Sequence, residues 1–185
     1  GSFLFLAGVS LWLAHGAGIR WRGFWRRWGI LVLAAAAVSA ATYIAMPRAF
    51  VYFGILHSIA AASLIGLALL RLPTGILLAL ASAVVVAPDF LRTEAFNHPG
   101  LWWTGLATAP RPSVDFEPVL PWAAPFLAGL AVAKAADARG VWRRLAGQPL
   151  GPSWLAWPGR HSLILYLLHQ PVLIALVWAA SRLLA

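Results

Sequence analysis

Long apolar runs alternate along this chain with short connections rich in arginine and tryptophan. The apolar segments cover roughly 2–17, 29–46, 51–71, 73–91, 118–135 and 161–183. A helix that crosses a bilayer needs about 20 apolar residues at about 1.5 Å each. Strands of a membrane barrel would instead alternate polar and apolar positions over about ten residues. These runs are continuous, so the pattern predicts an all-α, polytopic transmembrane bundle of about six helices, in one integral-membrane domain over 1–185. The third and sixth segments are long enough to cross directly. The first, fourth and fifth are short, which predicts tilt, breaks or local thinning.

The connections set an orientation. Arg20, Arg22, Arg26, Arg27, Arg71, Lys134, Arg139, Arg143, Arg144 and Arg160 fall on one side of such a bundle, and Arg48, Arg92, Arg111 and Arg182 on the other. This asymmetry predicts that 18–28 and 135–160 are cytoplasmic loops. The connection from Asp89 to Glu117 is then external. It carries Asp89, Glu94, Asp115 and Glu117, four of the five acids, together with Asn97, His98, Trp102 and Trp103. A loop of that length with that aromatic content predicts a folded cap. Pro118, Pro121 and Pro125 predict an irregular entry into the fifth segment.

Composition agrees with the pattern. The chain is 62% hydrophobic and 10% charged, against about half and a quarter in soluble domains. The net charge of +9 is dispersed between apolar runs, so it predicts contact with the bilayer and not with nucleic acid. With no cysteine, a disulfide or thiolate metal site is excluded. No zinc-binding helix motif, Walker loop or dinucleotide fingerprint is present, so no metal and no ATP or nicotinamide chemistry is expected.

Chemistry-bearing residues stand inside the apolar runs. His57 falls in the third segment; His169 and Gln170 precede Pro171 in the sixth. Ionisable groups at membrane depth are costly and tend to face polar interiors. The bland alternative for each histidine is a hydrogen bond to a neighbouring helix. Pro171 frees a carbonyl one turn earlier and breaks the helix beside His169. His57, Asp115 and His169 are the catalytic candidates. Asp115 and Glu117 form a carboxylate pair suited to general base work, or are solvated loop acids. Arg160 and His161 suit a phosphate at the opposite face, or anchor the helix end. Gln170, Glu117 and Trp122 complete the candidate binding set.

Four blocks in order carry a resemblance: Phe3 to Ser10, Phe53-Gly54-Ile55-Leu56-His57, Pro112 to Trp122, and Gly159-Arg160-His161-Ser162-Leu163 through His169-Gln170-Pro171. Together they resemble the heparan-alpha-glucosaminide N-acetyltransferase catalytic-domain family, in particular its small bacterial members. The resemblance implies a membrane-embedded acetyltransferase in a bacterial inner membrane. Acetyl-CoA on the cytoplasmic side would be the acyl donor, and an amino sugar or envelope glycan on the far side the acceptor. The family pattern opens with a further helix, marked Asp-x-x-Arg-Gly and followed by a histidine associated with acetyl transfer. Nothing here matches that helix, so the chain reads as N-terminally truncated and lacking that histidine. The competing class is a transporter or flippase, whose path the same polar groups would line. The absence of an inverted repeat counts against it.

Overall fold

The computed structural model describes residues 1–146 and, beyond them, Trp157, Leu163, Leu165, Leu167, Leu168 and Arg182. Residues 1–140 form one compact unit and 141–185 a second. The first contains α1 (Ser2–His15), α2 (Trp21–Ala45), α3 (Ile55–Leu69), α4 (Thr74–Leu91) and α5 (Val119–Ala138). The described part of the second contains α6 (Val141–Ala146). No strand occurs among the described residues. Three described helices, α2, α4 and α5, are long and apolar enough to cross a membrane. The fold is a helical membrane bundle.

Helix boundaries differ from the apolar runs in an instructive way. The third run, read as a direct span, yields only the 15-residue α3, because Val51–Gly54 is non-helical backbone. The fourth and fifth runs, read as short, give helices of 18 and 20 residues. The second helix begins eight residues before its apolar run: α2 starts at Trp21, so most of the expected 18–28 loop is helical. Arginine is a good helix former and tryptophan a tolerable one, and hydropathy alone cannot see a polar first turn.

The core lies around α5, which packs against α1, α3 and α4. Phe126, Leu127, Leu130, Ala131 and Ala133 are buried there, with Leu4, Leu11, Ile59 and Leu77 facing them. Two glycines allow the closest approach. A Cβ on Gly8 would run into the carbonyl oxygen of Phe126, and one on Gly129 into the carbonyl oxygen of Phe5. Small residues at such crossings let backbones touch where no hydrophobic driving force separates helix from lipid. By contrast α2 packs on α3 and is mostly exposed, as a lipid-facing helix should be. One link is Trp28, whose indole N–H donates to the Ala60 carbonyl at 3.1 Å.

The entry to α5 is irregular, as the prolines predict. Leu120 has non-helical dihedrals (φ −103°, ψ 123°) and precedes a cis peptide bond to Pro121. Beside it, Gly105 sits at φ +87°, where a Cβ would strike the Leu120 carbonyl.

Candidate functional site

At about 1.5 Å per residue, the 14-residue α1 and 15-residue α3 measure only about 21–22 Å. The hydrocarbon layer is about 30 Å thick. Their terminal N–H and C=O groups must therefore find partners within the protein. This requirement organises both ends of the bundle.

At one end, the acid-bearing connection closes over the start of α3. Asp115 reaches across 60 residues, and its Oδ2 accepts the Ile55 N–H at 3.0 Å. His57 lies in the first turn of α3. Its Nδ1 accepts the Gly54 N–H at 3.3 Å. The proton of a neutral ring then sits on Nε2, which faces Ser39 Oγ of α2 at 3.4 Å. Gly54 is required because any Cβ there would collide with the Asp115 carboxylate.

The connection is a folded cap, as its aromatic content predicts. The Val114 N–H donates to Ala49 O at 2.9 Å and the Glu117 N–H to Phe53 O at 3.0 Å, and Phe53 pairs with Phe116. The Tyr52 hydroxyl donates to Arg111 O, and the Arg111 guanidinium donates to Pro47 O while lying over the Phe50 ring. Asn97 ties the two 3-10 turns (Glu94–Asn97 and Pro99–Thr104) to Thr108 and Ala109. Tyr52 stacks with Trp102 and Phe116, and Phe53 with His57 and Trp103. The result is an aromatic wall along the cap, which meets His57 at Phe53.

Glu117 has a different environment from Asp115. Its Oε2 is buried and, among the described residues, has no hydrogen-bond partner. Burial and the neighbouring Asp115 charge push its carboxyl above the usual glutamate range. The structure thus brings His57, Asp115 and Glu117 together at the cap. It places Trp122 elsewhere, against the apolar core at the first turns of α5. Ser58, adjacent to His57, is 1% exposed, and its hydroxyl also lacks a partner among the described residues.

The opposite end is basic. Lys134 of α5 donates to the carbonyls of Leu70 at 3.3 Å and Leu72 at 2.7 Å, closing the C-terminus of α3. Its ammonium lies 5.0 Å from the Trp12 ring centre, and the Trp12 indole N–H donates to Asp137. Arg20 donates two bonds to the Ala14 carbonyl and closes α1. A cavity of about 300 Å³ opens here, walled by Trp12, His15, Ile19, Leu70, Arg71 and Lys134.

His15 is the residue that hydropathy missed. It lies near the end of the first apolar run and reads as a boundary residue, yet it is 7% exposed. Its Nδ1 accepts the Arg20 N–H at 3.2 Å, and Phe24 packs edge-on to its ring. It also walls a second, much smaller cavity with Arg27, Trp28 and Ser63. The flanking Gly16-Ala17-Gly18 was the available signal: a turn that brings the following helix back over the histidine.

The remaining candidates, Arg160, His161, His169 and Gln170, lie outside the described residues. Among the described residues no cluster of three or more His, Asp or Glu side chains is placed to hold a metal ion.

No curated protein and no solved structure matches this chain. A family model does, over residues 1–171. It takes in the glycine crossing of α1 and α5, the capped start of α3 and the basic end alike, and its description is "Heparan-alpha-glucosaminide N-acetyltransferase, catalytic". This integral membrane protein belongs to the heparan-alpha-glucosaminide N-acetyltransferase catalytic family.

Proposed function

We propose that the chain is the core of a multi-pass acetyltransferase of a bacterial inner membrane, and that it moves acetyl from acetyl-CoA to an amine on an amino sugar or envelope glycan. Family membership supports the reaction class. The observation that carries the assignment of a site is the buried, unpartnered Oε2 of Glu117 beside Asp115. Asp115 is committed to the α3 N-terminus, and His57 Nδ1 to the Gly54 N–H. Of the three groups, Glu117 is the one with a buried oxygen that no hydrogen bond among the described residues takes up. A carboxylate whose affinity for protons is raised by burial is also a stronger base.

In this reading the acceptor amine attacks the thioester carbonyl carbon. The C–N bond forms, the C–S bond breaks, Glu117 takes the amine proton, and that proton passes to the departing thiolate. His57 ties the start of α3 to α2 through Ser39, and the aromatic wall suits a sugar ring. The donor approaches from the arginine-rich, cytoplasmic side and the acceptor from the cap side; Arg160 and His161 are the candidates to bind the donor's phosphates.

The test is transfer of labelled acetyl from acetyl-CoA to glucosamine in proteoliposomes of the full-length protein. Glu117→Gln is expected to lower the rate about 100-fold or more, the usual size of a general-base contribution, with thermal stability near that of the parent. Unchanged transfer in Glu117→Gln removes Glu117 from the mechanism. No transfer by the parent protein returns the problem to the transporter reading.

A further inference from the structure

We propose that the outward face at the start of α2 is a docking surface for a bilayer phospholipid with a net negative headgroup, held by Arg22 and Arg26 and flanked by Trp21 and Trp25. The proposal goes beyond the acyl-transfer reading and does not depend on it.

The placement follows from the helix repeat. Phe24 and Ala35 are the buried residues of α2, and at about 3.6 residues per turn Arg22, Arg26, Ile30 and Leu33 fall on the opposite side. All four are exposed, Leu33 at 72%. From the arginine-rich end inward, this face reads as two guanidinium groups one turn apart, then aliphatic side chains. A phospholipid presents its phosphate and acyl chains in the same order. The exposed Trp21 and Trp25 lie beside the arginines, at the level where indoles meet headgroups. Trp25 is held in place: it packs edge-on to Phe24 and to Trp28, and Trp28 is bonded to α3.

Charge supplies the second argument. Like charges one turn apart on a helix repel, and no carboxylate side chain answers Arg22 and Arg26. No Asp or Glu precedes Asp89, and Asp137 is the single acid outside 89–117; it accepts the Trp12 indole N–H. Arg20 is bonded to the Ala14 carbonyl, and Arg27 lines the small cavity beside His15. Arg22 and Arg26 have no hydrogen bond or ion pair among the described residues. A water-soluble ligand needs a concave site that covers most of its surface. This is instead the outer face of a helix whose apolar window is 11% buried, and a bilayer lipid already lies against it. Two guanidinium forks one turn apart can share one phosphate, and each basic residue near an anionic surface strengthens the attraction several-fold.

The full chain is placed in nanodiscs of mixed phosphatidylcholine and phosphatidylglycerol, and the lipids that leave with it are read by native mass spectrometry. Phosphatidylglycerol is expected to be retained over phosphatidylcholine. The double variant Arg22→Gln, Arg26→Gln should lose about tenfold or more of that preference, with its melting temperature unchanged. Each single variant is read in the same way, so the question stays answerable if the double variant does not fold. Arg92→Gln, beside the cap, should leave the preference intact; an equal loss there would make it an effect of net charge and overturn the site. A parent protein that retains both lipids equally, or a preference that survives both substitutions, overturns it as well. So does release of phosphatidylglycerol by inorganic phosphate at constant ionic strength, which would put a soluble anion on the two arginines.

Discussion

The two ends of α3 solve one problem with opposite chemistry. At its start, a carboxylate on a looped connection takes up a free N–H; at its finish, an ammonium on the neighbouring helix takes up two free carbonyls. The signs follow the helix dipole, acid at the N-terminus and base at the C-terminus. The supports differ. Lys134 stands on α5, the most deeply packed helix, while Asp115 is carried by a cap hung on a few backbone bonds to residues 49–53. One end of α3 is fixed by the core; the other is fixed by a segment that can be altered without touching the core.

That contrast is breakable. The largest effect belongs to Lys134→Met, which leaves two carbonyls at the end of α3 without their donor. Bonds to a charged group are worth about 1.5–3 kcal/mol each, so thermal or denaturant unfolding in detergent should show a loss of about 3 kcal/mol or more. Asp115→Ala removes a cap and should cost about 1–2 kcal/mol, while Asp115→Asn, which keeps an acceptor oxygen, recovers most of it. Equal losses from Lys134→Met and Asp115→Ala would erase the distinction between a core-held and a cap-held end.

The smallest effect is a pH dependence confined to the cap. Burial raises the Glu117 carboxyl, so the fold favours the protonated form. Its contribution to stability is fully present below the ordinary glutamate value and is lost as pH rises through the raised one. Melting temperature followed from about pH 4, near that ordinary value, to about pH 8 should decline in the parent. It should decline less in Glu117→Gln. A slope unaltered by that substitution would assign the titration to another group.

Periodicity and hydropathy made the helices legible, because continuous apolar runs in lipid have one secondary structure open to them. They did not make the ends legible. The start of α3 was misplaced because Val51 to Gly54 is as apolar as the helix it precedes. The arginines of α2 were read as loop because charge and helicity are independent. His57, Asp115 and Glu117 were visible as polar residues in apolar surroundings, but two of the three turn out to be serving backbone groups 3 and 60 residues away. Only the partner tells a cap from an open base, and the partner of Asp115 is far off in the chain. Gly8 and Gly129 gave no signal at all: glycine in a membrane helix is common, and its meaning depends on which carbonyl passes over it.

That crossing also sets a timetable for biosynthesis. Gly8 and Gly129 are 121 residues apart, and ribosomes add about 5–20 residues per second. The first helix therefore waits about 6–24 s for the strip of backbone it is shaped to touch. During that interval its glycine face has only lipid, translocon or chaperone for company. Insertases that hold early helices will leave their imprint on yield here, and codon choice between α1 and α5 becomes a variable for expression.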